Sequence, residues 1–404
     1  MPLGALTGEV LRRPGPWVAV FLLGVAALLN LYATQPLLAE LSEWGRVDRG
    51  SAAWTISAST LGVAVLAPVA GSVSARIGRK RVMLTAIGAM TVATLLCATA
   101  PGFAWLLLFR AIQGLATPFV FAVAIAYIAE EASPDRTASL NGVYVAGTAF
   151  GGFAGRLLAG SVFDASGSWR LTFVFAAVLL AVVLTATWLW LPRESRFSPA
   201  ASLFTGIRGA GEHLRDWRIL ATCVIGASLL FQQVVSFTFG SLHLMEDPFS
   251  LTAMQIGLMF IVFLAPSVLT PFIGAAVQRI GTLATFWVAT ALGAIGLGLT
   301  LLPSTVAVIL GLACSCIAVF AGQSCATGFT GRHARHSTSA AVGIYLTSYY
   351  LGGTIGGFVG APIYDSFGWP GTVLLVLTVI GIGALAASAA WRGRVSEPTS
   401  SPES

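Results

Sequence analysis

A series of long apolar stretches restricts what this 404-residue chain can fold into. A helix needs about 20 mostly apolar residues to cross a bilayer, and roughly twelve stretches of that length follow one another along the chain. We number them spans 1 to 12 in chain order. They cover 16–39, 51–75, 82–100, 103–128, 139–161, 171–191, 218–243, 253–277, 283–301, 305–330, 340–363 and 371–390.

The composition agrees with a chain whose main solvent is lipid. It is 56% hydrophobic and 9% charged, whereas a soluble domain has about 45–50% apolar and about 25% charged residues. No compact polar domain is left that would bind nucleic acid, so no nucleic-acid partner is expected. The five cysteines lack Cys-x-x-Cys spacing, so no metal site is predicted. We expect an all-α integral membrane protein with twelve transmembrane helices.

The basic residues predict the orientation of this bundle. Of the 22 Arg and Lys residues, seventeen fall on the side of the N-terminus if the spans alternate, and three fall in the opposite loops. Loops rich in Arg and Lys stay in the cytoplasm. The count predicts an even number of spans and two cytoplasmic termini.

The longest polar segment divides the chain in half. We predict a first six-helix bundle over 1–191, a cytoplasmic linker over 192–217, a second six-helix bundle over 218–391 and a cytoplasmic tail over 392–404. A linker of this length is too short to form a domain of its own.

The two halves repeat each other. The pattern Gly71-x4-Arg76-Ile77-Gly78 recurs 203 positions later, and a second set of matches is 201 positions apart. Duplicated halves are typical of transporters, which hold their substrate between the halves near the bilayer midplane. The second set matches Gly142, Tyr144, Gly151, Gly152, Gly155 and Asp164 with Gly343, Tyr345, Gly352, Gly353, Gly356 and Asp365.

Glycines recur on one face of spans 5 and 11. Small residues one helical turn apart let two helices approach closely. The pattern indicates either static packing or a helix contact that slides or bends. The glycines concerned are Gly147, Gly151, Gly152, Gly155, Gly352, Gly353 and Gly356.

Two arginines, Arg110 in span 4 and Arg156 in span 5, are candidates for function because ionisable groups inside a membrane are costly. Both are expected roughly 8–11 Å below the outer boundary. Glu40 and Asp164 lie near that boundary and are candidate partners, or carriers of a coupled proton. Either the arginines act in substrate binding or coupling, or they are structural and bind carbonyl or carboxylate groups.

Uncharged polar and aromatic side chains within the spans are the other candidates for a substrate cavity. Amides together with aromatic rings suit an amphipathic organic solute, although some of these groups are expected to join helices only. The candidates are Asn30, Tyr32, Gln35, Gln113, Tyr144, Gln232, Gln323, Tyr345 and Tyr349.

Three motifs resemble the major facilitator superfamily, and the resemblance extends over essentially the whole chain. Gly71, Arg76, Gly78, Arg79 and Lys80 match its signature turn between spans 2 and 3, with Ala75 in place of the usual Asp. The motif Arg110-x2-Gln113-Gly114 resembles its R-x-x-Q-G motif. The span 5 glycines resemble the motif of its drug–proton antiporters. The stretches Tyr32–Leu38 and Gly151–Leu157 resemble its YnfM-type branch.

The resemblance implies that the turn acts as a cytoplasmic latch between conformations. Because Ala75 removes the usual acid, we expect Glu130, Glu131 or Asp135 to supply the countercharge to Arg76 or Arg79. The latch would comprise Gly71, Arg76, Gly78, Arg79, Lys80, Glu130 and Glu131. The alternative is that the basic cluster only sets topology.

The resemblance also implies a function. We expect a secondary active transporter of the bacterial inner membrane, with proton-coupled efflux of a small amphipathic organic compound or drug by alternating access. The alternatives are transport of an anionic metabolite or sugar, and a membrane sensor without transport. No phosphate-binding G-x-x-x-x-G-K-[ST] motif is present, so transport driven by ATP is not expected. We expect no enzymatic activity, no cofactor and a functional monomer.

Overall fold

The computed structural model describes residues 14–194, 215–333 and 338–392, which form a bundle of twelve helical spans. Within this described part, eight helices are long and apolar enough to cross a membrane. The last of them contains both span 11 and span 12, because Gly368 bends the chain with φ 62° and ψ −158°. Most of the predicted linker and nearly all of the predicted tail lie outside the described residues.

Nine spans are helices without a break in the membrane part of the bundle, and span 4 is interrupted for one residue at Thr117, before Pro118. Spans 2 to 6 are Gly50–Ile77, Arg79–Ala98, Phe103–Glu131, Pro134–Ser166 and Trp169–Trp190. Spans 7, 9 and 10 are Trp217–Met245, Thr282–Leu299 and Thr305–His333, and spans 11 and 12 share Thr338–Ala390.

Spans 1 and 8 are each broken. These breaks correct the expectation of one continuous helix over 16–39 and of another over 253–277. A proline follows each break, Pro36 in span 1 and Pro266 in span 8. Proline has no N–H to donate, and its ring clashes with the carbonyl one turn earlier, so it favours a kink or a break in the turn before it. Span 1 comprises Pro14–Leu29, turns over 30–34, a 3-10 helix Gln35–Leu37 and a helix Leu38–Gly45. Span 8 comprises Ala253–Met259, a 3-10 helix Phe260–Leu264 and a helix Ala265–Ile280.

The bundle has two faces, which we name from the turn between spans 2 and 3. The turn face carries Gly78 and its counterpart Gly281, whose φ angles of 110° and 86° favour glycine. Because the spans alternate in direction, span 1 begins and span 12 ends at the turn face. In the predicted orientation the turn face is cytoplasmic and the opposite face is external.

The glycine stripes pack span 5 on span 1 and span 11 on span 7. A Cβ atom on Gly155 would lie 1.9 Å from the Leu29 carbonyl oxygen, and one on Gly352 would lie 2.0 Å from that of Ala227. Gly147 and Gly151 contact the span 1 backbone in the same way. Any larger side chain would push these helices apart.

Gly353 and Gly356 also contact span 7, but through side chains. A Cβ atom on Gly353 would lie 2.9 Å from Leu230, and one on Gly356 would lie 3.0 Å from Val235. Gly152 faces elsewhere, toward the Arg156 guanidinium. In span 5, three glycines of the predicted stripe therefore contact the backbone of span 1, and the fourth, Gly152, lies beside the buried Arg156.

The two halves are joined toward the opposite face. Among the described residues, five hydrogen bonds connect them, and none lies nearer the turn face than the Thr60–Thr354 pair, close to the middle of the bundle. The inter-half bonds are Arg49–Glu246 (2.8 Å), Gly50–Asp365 (2.8 Å), Asp164–Met254 (2.9 Å), Gln35–Thr238 (3.0 Å) and Thr60–Thr354 (3.0 Å).

We expect Gly155→Ala to lower the melting temperature of the purified protein, because its Cβ would overlap the Leu29 carbonyl. Overpacking of this kind costs about 1–3 kcal/mol. Gly142→Ala is the matched control in the same span, since a Cβ there meets no atom within 4 Å. Thermal unfolding in detergent measures both variants. Equal melting temperatures would contradict the proposed packing requirement.

Candidate functional site

Arg110 binds the backbone at the break in span 1. Its Nη1 donates to the Asn30 carbonyl at 2.7 Å, its Nη2 donates to the Leu31 carbonyl at 2.7 Å, and its Nε donates to the Thr55 carbonyl at 3.1 Å. The last carbonyls of a helix have no partner within the helix, and no water replaces one inside a bilayer. The guanidinium therefore satisfies the backbone that the break exposes.

A side-chain network holds Arg110 in this position. Gln113 accepts a further hydrogen bond from Nη1 and donates its own Nε2 to the Thr94 hydroxyl at 2.6 Å. Asn30 donates to the same hydroxyl at 2.9 Å. Arg110 thus makes four hydrogen bonds, to spans 1, 2 and 4, with its five N–H groups. Its side chain is fully buried, with 0% exposure.

Arg156 occupies a different environment, where the breaks in spans 1 and 8 meet. Its Nε donates to the Gln35 side-chain oxygen at 2.6 Å, and its Nη1 donates to the Gly152 carbonyl at 2.5 Å. These are the two hydrogen bonds it makes within the described part of the chain, although the side chain has five N–H groups. Arg156 is nevertheless 3% exposed.

Aromatic rings surround the Arg156 guanidinium. Its central carbon lies 4.3 Å from the ring centre of Phe260, 4.9 Å from that of Phe263 and 4.9 Å from that of Tyr32. Ring faces stabilise a cation when water is excluded. The two phenylalanines belong to the 3-10 segment of span 8, so the break in that span directs them at the arginine.

Gln35 connects Arg156 to the second half. While its oxygen accepts from Arg156, its Nε2 donates to the Thr238 hydroxyl of span 7 at 3.0 Å. The chain Arg156–Gln35–Thr238 therefore joins spans 5, 1 and 7. A change in the hydrogen bonding of the guanidinium would therefore alter Gln35, which also makes a hydrogen bond to the second half.

A tyrosine and amide cluster lies beside this site in the second half. The Tyr349 hydroxyl donates toward the side-chain oxygens of Gln233 and Gln323, both at 3.4 Å. Tyr32 packs against the hydrophobic cluster that contains Tyr345 and Tyr349. These groups extend the polar and aromatic surroundings of Arg156 from the first half into the second.

Two further cavity candidates join neighbouring helices. The Tyr144 hydroxyl donates to the Phe121 carbonyl at 3.2 Å, and Gln232 donates to the Ser315 hydroxyl at 3.0 Å. Both side chains are buried. Their hydrogen-bond partners indicate contacts between spans 5 and 4 and between spans 7 and 10.

The structure corrects the expected partners of the two arginines. Asp164 accepts a hydrogen bond from the Met254 backbone N–H at 2.9 Å, at the start of span 8, and Glu40 is half-buried. Neither acid forms an ion pair with Arg110 or Arg156. The depth of Arg156 is also corrected: span 5 extends to Ser166, so the arginine lies ten residues, about 15 Å, from that end.

The basic turn is attached to its own half. Arg79 pairs with Glu130 at the end of span 4, its Nε 3.0 Å from Oε2, and its Nη1 donates to the Gly71 carbonyl at 2.9 Å. Lys80 donates to the carbonyls of Trp188, at 2.8 Å, and Leu191 at the end of span 6.

The other charged residues near the turn have different environments. Arg76 is exposed and Glu131 is buried. Asp135 pairs with its neighbour Arg136 at 3.5 Å. Of the three acids expected to supply a countercharge, Glu130 contacts Arg79 of the turn.

Several residues of the Arg156 site were not predicted from the sequence. Phe260, Phe263 and Thr238 lie in apolar spans, where nothing in the pattern distinguishes them from residues that face lipid. Pro266, shortly after the two phenylalanines, is the sequence signal that indicates a break in span 8.

We expect Arg110→Met to lower the yield and melting temperature of the folded protein sharply. The substitution removes the donor of the Leu31 carbonyl and leaves the Asn30 carbonyl with the Ala33 N–H at 3.3 Å, and a buried unsatisfied group costs about 1–3 kcal/mol. Arg170→Met is the matched control, since this exposed arginine stacks on Trp169 at the opposite face. Size-exclusion chromatography and thermal unfolding measure both. Similar behaviour of the two variants would contradict the structural role of Arg110.

The chain matches a family model described as Major Facilitator Superfamily, over residues 20–240 and again over 222–404. Two relatives match along most of their length. The chain is 30% identical to the uncharacterized MFS-type transporter YybF of Bacillus subtilis, over 89% of each chain. It is 29% identical to the inner membrane transport protein YnfM of Escherichia coli, over 91% of this chain and 88% of that one.

The fold is also similar to that of a solved transporter. A crystal structure of a mutant of the nucleoside transporter NupG aligns with 93% of this chain and all of that one, with a TM-score of 0.75 and 15% identity. At this identity the likeness concerns the fold, and it agrees with the twelve-helix bundle described above. The chain therefore belongs to the Major Facilitator Superfamily and is a membrane transporter of that family.

Proposed function

We propose that this protein exports a small amphipathic organic compound across the bacterial inner membrane, coupled to protons, by alternating access between its two halves. The observation that carries the proposal is the Arg156 site, where two broken spans from different halves meet. Discontinuous helices at the contact between repeats are typical of substrate sites in secondary transporters. Amides, tyrosines and a guanidinium among phenylalanines suit an amphipathic solute.

The contacts between the halves support alternating access. The five inter-half hydrogen bonds lie toward the opposite face or near the middle of the bundle. In the predicted orientation this arrangement closes the external side. A matching closure at the turn face, with release of the external contacts, would give the second conformation.

A partial relative supports export. The chain is 34% identical to a protein named multidrug resistance protein B homolog in Mycobacterium tuberculosis, over 37% of this chain and 27% of that one. Removal of a toxic compound from the cell would require movement from the turn face to the opposite face in the predicted orientation.

Two aspartates support coupling to protons. Asp164 accepts from the first turn of span 8, and its repeat counterpart Asp365 accepts from the Gly50 N–H at the start of span 2, at 2.8 Å. In each half, an aspartate carboxylate thus accepts a hydrogen bond from the N-terminus of a helix in the other half. A negative charge is favourable there, because the N-terminus is the positive end of the helix dipole. Protonation would remove that charge and weaken the external closure.

Sealed proteoliposomes with an internal pH dye test this proposal. Cationic dyes, neutral drugs, sugars and organic acids are added one at a time, and at least one compound is expected to drive proton movement. We expect Asp164→Asn to reduce that proton movement about tenfold, because a charge-assisted hydrogen bond is replaced by a weaker neutral one. Asp247→Asn is the matched control, since Asp247 contacts Ser250 in its own loop.

Two outcomes would contradict the proposal. If no compound moves protons or tracer although one of them binds, the sensor alternative is favoured. If tracer moves without protons in the wild-type protein, the export is not proton-coupled.

We also propose that the Arg79–Glu130 pair restrains the turn between spans 2 and 3 during this cycle. The Arg79 side chain is 11% exposed and that of Glu130 is 50% exposed, so the pair is partly screened by solvent. A pair of this kind contributes up to about 1 kcal/mol. That is enough to bias two conformations of similar energy.

We expect Glu130→Lys to slow transport up to about fivefold, which corresponds to the loss of about 1 kcal/mol, and we expect the double exchange Arg79→Glu, Glu130→Arg to restore it. Asp135→Lys is the matched control, because the described partners of Asp135 are its neighbours Ser133 and Arg136. Tracer flux into proteoliposomes measures the rates. A basic cluster that only sets topology would leave all three variants at the wild-type rate.

A further inference from the structure

We infer that the Arg156 site binds the anionic group of its ligand, and that the transported compound is an amphipathic organic anion such as a carboxylate with an aromatic or apolar body. The inference rests on the proposed function, because it names the substrate class of that same site.

The first argument is the balance of buried charge. Within the described ranges, the buried charged residues are Arg110, Arg156 and Glu131, and Glu131 lies at the turn-face end of span 4. The interior near the site is therefore positive. A buried cation without a counterion costs several kcal/mol, and a cationic ligand would add repulsion, whereas an anion would offset the charge.

The second argument is the difference in hydrogen bonding between the two arginines. Arg110 donates four hydrogen bonds, three of them to backbone carbonyls, among which the Leu31 carbonyl lies in the break of span 1. Arg156 donates two, and its Nη2 group has no hydrogen-bond partner among the residues that the structure describes. A planar guanidinium with donors to spare is suited to a carboxylate, which accepts two parallel hydrogen bonds.

The third argument concerns the body of the ligand. Tyr32, Phe260 and Phe263 present their rings around the guanidinium. A small inorganic anion has no apolar group to place beside these rings. An aromatic or branched apolar group next to the carboxylate would pack against them.

Binding of an anion also has a consequence for the contact between the halves. A carboxylate competes with the Gln35 oxygen for the Arg156 N–H groups, and charge-assisted hydrogen bonds are stronger than neutral ones. Release of Gln35 would weaken its hydrogen bond to Thr238, which connects the halves. The ligand would therefore loosen one of the contacts on the external side.

Calorimetric titration of the full-length protein in detergent tests this inference. The probes are matched pairs: 1-naphthoate with 1-naphthamide, and octanoate with octanamide. We expect the wild-type protein to bind at least one carboxylate about tenfold more tightly than its amide, the effect of a charge-assisted hydrogen bond. Arg156→Gln is expected to bring the ratio close to one.

Three further variants separate the role of the charge from folding. Arg170→Gln, which removes an arginine that stacks on Trp169 outside the site, is expected to keep the preference. Arg156→Lys keeps the charge but lacks the fork, so we expect an intermediate ratio; it also serves if Arg156→Gln does not fold. Phe260→Leu is expected to weaken both naphthyl probes and keep their ratio.

The inference is overturned if the wild-type protein binds neither carboxylate, binds carboxylates and amides equally, or keeps its preference in Arg156→Gln. These outcomes differ from failure of the proposed export. Proton-coupled transport of a neutral or cationic compound would overturn the anion site alone. A carboxylate preference without proton movement in proteoliposomes would support the site and contradict the coupling.

Discussion

The absence of water inside a bilayer controls this fold, because every backbone group there needs a partner within the protein. An unbroken helix meets the requirement by itself, and nine of the spans do so. Span 1 ends its first helix at Leu29, and span 8 changes to a 3-10 segment at Phe260. Arg110 supplies donors to the carbonyls exposed by the first break. This arginine allows the irregular backbone at Gln35, and that backbone in turn places Gln35 against Arg156.

The duplicated halves have diverged where the site lies. Span 7, the repeat counterpart of span 1, is continuous over Trp217–Met245, and span 2, the counterpart of span 8, is continuous over Gly50–Ile77. The reciprocal aspartates, Asp164 and Asp365, keep the symmetry at the opposite face. Symmetric contacts suit a closure that the two halves make together, whereas an asymmetric interior suits a ligand with a charged and an apolar end.

Much of the fold was predictable from the sequence because it depends on long-range composition. Span count follows from apolar length, and the repeat follows from glycines at fixed separation. The break in span 1 was not predicted, since Asn30 and Tyr32 are compatible with a helix and Pro36 lies near its expected end. The partner of Asp164 was not predictable either. It is a backbone N–H, which any residue at position 254 provides, so no side chain in the sequence indicates it.

The two buried arginines show where sequence reasoning stops. In the sequence, Arg110 and Arg156 are alike in residue type, in position within a span and in their candidate acidic partners, and each was compatible with a structural or a binding role. The difference lies in what the fold brings to each guanidinium. Arg110 donates to three carbonyls and to Gln113, so it has little capacity left for a ligand. Arg156 meets an amide, one carbonyl and three rings. A residue with unused hydrogen-bonding capacity at the contact between moving halves is the one whose occupancy can bias their equilibrium.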